Sequence, residues 1–141
     1  MAGNFVTDLL TPVAKGEVRD LSDVIFKDTV DISNRRLGNL DLSRAVFEAP
    51  VIARGAIFTG LAWLRGATFR STVDFASAIF CSDARFDSAH FTREAVFSGV
   101  EYRGIAAFDR ATFAGAAFLD RMLCLANLSF DSAAFDNMVN A

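Results

Sequence analysis

The chain has 141 residues, 52% of them hydrophobic, and 17 acidic against 14 basic residues give a formal net charge of −3. This length suits one domain with a substantial core, and the charge is too small to indicate a class of partner. Two cysteines are too few for a disulfide framework, and no stretch approaches the roughly 18 apolar residues that a membrane helix needs. The N-terminus also lacks the features of a signal peptide, so we predict a cytoplasmic protein without membrane contact.

The N-terminal segment lacks the repeat that fills the rest of the chain. It contains two apolar pairs, Leu9–Leu10 and Val13–Ala14, among polar residues. A repeat structure with an open end exposes core side chains and unpaired strand edges, so such ends need a cover. We therefore predict an N-terminal cap at residues 1–20 and a repeat domain at residues 21–141.

An 11-residue period dominates the repeat domain. Two series of large residues, each with a step of 11, interleave so that steps of six and five residues alternate. Thirteen of their 17 members are aromatic. The complete set is Phe47, Ala53, Phe58, Leu64, Phe69, Phe75, Phe80, Phe86, Phe91, Phe97, Tyr102, Phe108, Phe113, Leu119, Cys124, Phe130 and Phe135. The residue two positions before each member is alanine in twelve cases and is never polar.

The spacing of these pairs predicts very short strands. Residues i and i+2 lie on the same side of an extended chain, so each repeat directs one small and one large side chain inward. The small residues that follow, such as Gly55, Gly66 and Ser77, are typical of corners. Inward positions five and six residues apart would drift around a helix. A coil whose turns lie on one another pairs the backbone groups and fits the spacing.

We predict four faces for each coil. In a coil made of two 11-residue units, each six-residue step lies on a six-residue step of the next coil. A three-faced coil would place six-residue steps on five-residue steps. It also places Phe69, Phe91 and Phe113 in one column. The additional residue of every second unit predicts a bulged corner at Pro50, Leu61, Thr72, Asp83, Glu94, Ile105, Ala116 and Asn127.

This pattern resembles the pentapeptide-repeat family in its phenylalanine-centred form. The resemblance is strong from Ala45 to Phe135 and weaker upstream, where the register slips near Arg35 and Arg36. It implies an all-β, right-handed quadrilateral β-helix (a β-solenoid). The repeats from Val24 to Phe135 predict about five coils of about 22 residues each, which follow the N-terminal cap. The chain differs from the commoner leucine-centred form because most repeats lack Asp or Asn between the two inward residues.

Catalytic chemistry is not predicted. His90 is the only histidine and occupies an outward position, so a metal site lacks a second histidine and a serine nucleophile lacks a base. Cys81 is predicted to point outward and Cys124 inward, two coils apart, and we expect no disulfide between them. The sequence therefore predicts no enzyme, no metal and no cofactor.

One candidate partner surface is acidic. Asp87, Asp109 and Asp131 recur at twice the 11-residue period and are predicted to stack at about 4.8 Å intervals, where like charges repel. Such a ladder imitates phosphates or holds a cation, unless Arg85 and Arg110 neutralise it. The family resemblance implies that the ladder imitates the phosphates of DNA. Some members of the family that protect DNA gyrase imitate duplex DNA and dimerise through C-terminal coils.

A second candidate surface is apolar. Trp63, Phe118, Leu123 and Leu125 are predicted to point outward, and the last three gather in the final coils, where a patch indicates a partner site. Too few residues follow Phe135 to form a cap, so either the end pairs with another molecule or the sequence is part of a longer chain.

Three function classes follow from these observations. The first is a non-catalytic protein-interaction or scaffold module with flat faces that self-associates through its C-terminal coils, with no direct nucleic-acid contact. The second is a DNA-mimicking, topoisomerase-binding protein. The third, an enzyme, would need a cleft with convergent polar groups, which a regular solenoid does not offer.

Overall fold

The computed structural model describes residues 5–141. One helix, α1 (Phe5–Leu10), precedes 23 short strands. The strands follow one another around the edge of a coil, and each coil lies on the one before it. Corresponding strands of successive coils therefore form four parallel sheets, here named A, B, C and D in the order in which the chain visits them.

The first coil contains β1 (Val18–Asp20), β2 (Ile25–Phe26), β3 (Val30–Asp31) and β4 (Arg36–Leu37). The second contains β5 (Asn39–Asp41), β6 (Val46–Phe47), β7 (Val51–Ile52) and β8 (Ile57–Phe58). The third contains β9 (Ala62–Trp63), β10 (Thr68–Phe69), β11 (Val73–Asp74) and β12 (Ile79–Phe80). The fourth contains β13 (Ala84–Arg85), β14 (His90–Phe91), β15 (Ala95–Val96) and β16 (Glu101–Tyr102). The fifth contains β17 (Ala106–Ala107), β18 (Thr112–Phe113), β19 (Ala117–Phe118) and β20 (Leu123–Cys124). The sixth contains β21 (Leu128–Ser129), β22 (Ala134–Phe135) and β23 (Val139–Asn140).

The predicted four-faced β-solenoid is confirmed. Sheets A, B and C have six strands and sheet D has five, all paired in parallel. The solenoid has about six coils rather than the predicted five. The estimate was short because β1 begins before Val24 and β23 lies beyond Phe135, where the aromatic signal is absent.

The coil length changes once along the chain. Ile25 of β2 pairs with Val46, and Val46 in turn pairs with Thr68, so the first of these two coils contains one residue fewer than the second. The missing residue lies between β4 and β5, just after the predicted register slip. There the side chain of Asn39 accepts a hydrogen bond from the Leu61 N–H (2.7 Å) and donates one to the Glu17 carbonyl (3.2 Å), so an amide group bridges the shortened corner.

Aromatic rings fill the interior in ordered stacks. The predicted column is confirmed: the ring centroid of Phe91 lies 4.9 Å from that of Phe69 and 4.6 Å from that of Phe113, and all three residues are buried. Phe97 meets Phe91 edge-on at 5.7 Å. Stacked and edge-on pairs both suit the quadrupole of the ring, and burial of each side chain contributes roughly 1.5–3 kcal/mol. The buried residues of the described part of the chain are hydrophobic, and Tyr102 is the member of this set that carries a hydroxyl group.

The corners are of two kinds. Tight turns link sheet A to sheet B and sheet C to sheet D, and each has one residue with positive φ: Asp23, Asn34, Arg44, Gly55, Gly66, Ser77, Ser88, Gly99, Arg110, Arg121 and Ser132. At Gly55 the Ala56 N–H donates to the Ala53 carbonyl (3.1 Å), as in a type II turn. The predicted additional residues, such as Leu61 and Thr72, lie in the other corners, which link D to A and B to C.

The N-terminal helix packs on the open end of the first coil. Leu9 is buried in the core, and the ring of Phe5 meets the ring of Phe26 edge-on at 6.1 Å. The guanidinium of Arg19 donates to the carbonyls of Thr11 (3.5 Å) and Pro12 (3.4 Å). These contacts hold the segment before β1 against the solenoid. The first strand starts at Val18, inside the predicted cap segment, and the division at residue 20 stays a prediction.

Replacing Tyr102 with phenylalanine is expected to stabilise the protein. The tyrosine stacks on Phe80 (5.4 Å), and its hydroxyl is fully buried without a hydrogen-bond partner. Burial raises the pKa of this hydroxyl well above its ordinary value, and the nearby Cys124 adds to the shift. Because an unsatisfied buried hydroxyl costs about 1–3 kcal/mol, Tyr102→Phe should raise the free energy of unfolding in urea titrations by about 1 kcal/mol. A lower value would mean that the hydroxyl has a stabilising partner.

Candidate interaction surfaces

The three aspartates of the predicted ladder lie at the corner between sheets A and B, in successive coils. The carboxylate of Asp109 accepts hydrogen bonds from the Ser129 hydroxyl and from the Asp131 N–H (3.1 Å). The bond from Ser129 is the main cause of the lowered pKa of Asp109, and the positive charges of Arg110 and Arg85 contribute less. This carboxylate therefore stabilises the turn of the following coil.

The first two coils stabilise the same turn with an aspartate of their own coil. In the first coil Asp20 accepts a hydrogen bond from the Ser22 N–H (3.0 Å), and in the second Asp41 accepts one from the Ser43 N–H (3.0 Å). Later coils have Trp63, Arg85, Ala107 and Ser129 at this position of sheet A. For the Asp131 N–H, the carboxylate comes instead from the preceding coil. A structural need thus accounts for part of the column.

The acidic column also stands among positive charges. Asp87 is mostly buried, with one carboxylate oxygen 3.9 Å from Arg85 and the other without a hydrogen-bond partner. A shallow depression of about 390 Å³ at the same corner is lined by Arg44, Arg65, Gly66, Asp87, Ser88 and Arg110. The surface around the column therefore has mixed charge rather than a uniform negative potential.

The predicted apolar residues occupy different faces. Trp63 lies on sheet A and Phe118 on sheet C, and both are half-buried. Leu123 and Leu125, at and just after β20 of sheet D, have exposed fractions of 50% and 62%. The structure thus separates Trp63 from the residues near the C-terminus.

The C-terminal end of the solenoid exposes more apolar residues than the sequence predicted. Besides Leu123 and Leu125, the exposed large apolar residues of the last coil are Leu128, Phe135, Met138 and Val139. Leu128, Phe135 and Val139 continue the inward columns of the coils below. Sequence reasoning placed Phe135 among the buried rings, because its local motif is that of a core residue. We name Leu123, Leu125, Leu128, Phe135, Met138 and Val139 the end face.

The two ends of the solenoid differ in charge and in cover. Arg19 occupies the inward column that ends in Leu128, and Arg35 occupies the inward column that ends in Met122. Helix α1 covers the N-terminal end through Leu9. Among the described residues, no segment covers the end face, and the strands β20 to β23 are each paired on one side only. The C-terminal end thus presents apolar side chains beside unpaired strand edges.

The residues with potential chemistry do not come together. His90 is exposed and contacts the Thr112 hydroxyl in the next coil. Cys81 and Cys124 are free thiols. Within residues 5–141 there is no group of three or more His, Cys, Asp or Glu side chains that could hold a metal ion. The same residues include no helix long and apolar enough to span a membrane.

Comparison with known proteins supports the repeat assignment. Residues 53–101 match the family model described as pentapeptide repeats (9 copies). The match covers the coils with the most regular phenylalanine columns. No curated protein matches the chain.

Proposed function

Because the chain is a pentapeptide-repeat β-solenoid, we propose that it is a non-catalytic protein-interaction module that docks partners at its end face. The partner that fits this end face is a second copy of the chain. The cytoplasm remains the predicted location. The observation that carries the proposal is the coincidence of exposed core columns with four unpaired strand edges at one end.

Exposed strand edges and large apolar patches are unfavourable in water and mark sites of association. A partner that covers them must offer apolar side chains together with strand edges of its own. The end face of a second copy offers both. Two copies that meet through the same surface form a closed pair with two-fold symmetry. The covered and charged N-terminal ends, with Arg19 and Arg35, then lie at the two outer ends of the pair.

Sedimentation velocity over a range of concentrations tests the proposal. We expect the unchanged chain to dimerise, and the variant Leu128→Glu/Phe135→Glu to weaken the dimer at least about tenfold, since each buried carboxylate without a partner costs several kcal/mol. Ile25→Glu is the matched control, because Ile25 is an exposed apolar residue near the opposite end. A wild-type chain that stays monomeric at ~100 µM, where even a weak dimer forms, would overturn the proposal.

A DNA-mimicking, topoisomerase-binding protein is the second candidate. Its support is the stacking of Asp87, Asp109 and Asp131 along one corner. The hydrogen bonds of Asp109 and the nearby Arg65 and Arg110 weaken that support, because they direct or neutralise the negative charge. A supercoiling assay with stoichiometric protein and a gyrase separates the candidates, since the interaction module predicts unchanged supercoiling.

A further inference from the structure

We propose that the N-terminal cap hides a second docking surface, which fits the end face of another copy, and so prevents the solenoid from growing into head-to-tail rods. This inference shares with the proposed function the premise that the end face accepts a partner. It does not require that the unchanged chain forms a dimer.

The strand registers of the two ends match on three of the four sheets, and the inward side chains match on sheets B and C, whereas on sheet A Arg19 lies in the column of Leu128. Sheets A, B and C begin with β1, β2 and β3 and end with β21, β22 and β23, and all strands run in parallel. A copy placed on the end face in the same direction brings β2 beside β22. Phe26 then continues the stack in which Phe113 and Phe135 lie 4.7 Å apart. Val30 continues the column of Val139 in the same way.

Sheet D is one strand short, and the segment before β1 lies where the missing strand would be. Sheet D starts with β4 and ends with β20. The side chain of Val13 lies beside Gly38, just after β4, and the Glu17 carbonyl accepts the hydrogen bond from Asn39. Residues 13–17 therefore run along the N-terminal edge of sheet D. A head-to-tail junction would contain this segment in place of a strand.

Helix α1 blocks this junction in the structure. Phe5 covers the outer side of Phe26, where the Phe135 ring of another copy would stack. Leu9 is only 4% exposed and belongs to the core cluster of the first coils. A second copy can reach the first coil only if α1 leaves. The cap thus does more than cover apolar surface, because it removes one of two complementary surfaces.

The symmetry of the contact between copies explains why it matters that α1 covers the first coil. A contact between two different ends repeats without closing and produces rods, whereas a contact between two equal end faces closes at two copies. Terminal repeats that differ from the consensus keep other repeat proteins soluble by the same logic. With α1 in place, only the closed contact is available to this chain.

The test uses the full chain with the substitutions Phe5→Glu and Leu9→Glu, which place carboxylates where α1 meets the core. We expect assemblies larger than two copies that lengthen with concentration, seen by sedimentation velocity and as rods in electron micrographs. Adding Leu128→Glu/Phe135→Glu should abolish them. Thr7→Glu is the matched control, because Thr7 is an exposed residue of the same helix, and it should assemble like wild type.

A folded variant with circular dichroism like wild type, but no assembly beyond that of wild type, would overturn the inference. If the double variant does not fold, the milder Phe5→Ala/Leu9→Ala, which removes both contacts of α1 with the core without adding charge, decides by the same criterion. The outcomes also separate the two proposals. A monomeric wild type with a rod-forming variant retains this inference and refutes the dimer, whereas a dimeric wild type with a dimeric variant does the reverse.

Discussion

Phe91→Ala is expected to lower the free energy of unfolding by about 3–5 kcal/mol, the usual cost of removing a buried phenylalanine ring. The ring lies between Phe69 and Phe113 at centroid distances of 4.9 and 4.6 Å, and the residue is 1% exposed. The coils above and below are fixed by hydrogen bonds from the His90 N–H to the Ala67 carbonyl (2.8 Å) and from the Thr112 N–H to the Ala89 carbonyl (3.0 Å). The cavity therefore cannot collapse easily, and we expect the upper part of this range.

Urea unfolding followed by circular dichroism measures this effect. Thr92→Ala is the control, because Thr92 follows Phe91 directly in the chain and is exposed. We expect its free energy of unfolding to stay within about 0.5 kcal/mol of wild type, as for most surface substitutions. Equal losses in the two variants would contradict the different roles assigned to the inward and outward positions.

Most of the fold could be predicted from the sequence because the inward positions repeat. Rings at Phe69, Phe91 and Phe113 fix the length of a coil, and the alanines two positions earlier fix which side of each strand faces inward. A parallel coil is the arrangement that pairs the backbone and also buries this pattern. Each repeat supports the register of its neighbours, so a few irregular positions such as Cys124 do not alter the prediction.

The end face could not be predicted in the same way. Leu128 and Phe135 follow the core pattern of the second to fifth coils, and Phe135 is nevertheless 36% exposed. Exposure there depends on whether another coil lies above, and the local motif does not contain that information. Leu123 and Leu125 were predicted as exposed because their own positions point outward. Sequence patterns thus locate residues on a face more reliably than residues at an end.

The acidic column shows a second limit of sequence reasoning. Its regular spacing indicates stacking, and Asp87, Asp109 and Asp131 do lie in successive coils. Spacing does not show that Asp109 accepts a hydrogen bond from the Asp131 N–H. That role arises because later coils lack the aspartate that serves the turn at Asp20 and Asp41. The same departure from the commoner repeat was visible in the sequence, but its consequence required the geometry of the corner.

Gly115→Ala is expected to destabilise the protein by about 1–3 kcal/mol, as overpacking does elsewhere. A Cβ atom on Gly115 would lie 2.4 Å from the carbonyl carbon of Arg93 and 2.8 Å from the backbone nitrogen of Glu94. Both atoms belong to the backbone of the coil below, so no side-chain rotation relieves the contact. The coils are also held together on both sides of this corner, by the bonds from the Ala114 N–H to the Phe91 carbonyl (2.9 Å) and from the Ala95 N–H to the Ala116 carbonyl (2.9 Å).

Gly38→Ala is the matched control for this substitution. Neither glycine has a positive φ, and the nearest atom to a Cβ on Gly38 is the Cβ of Val13, at an ordinary contact distance of 3.8 Å. Gly38→Ala should therefore unfold within about 0.5 kcal/mol of wild type in the same urea titration. Similar losses in both variants would show that flexibility of the chain, rather than the close approach of two coils, determines the need for glycine. A loss confined to Gly115→Ala would show that the close approach of two stacked backbones determines the need for glycine at this corner.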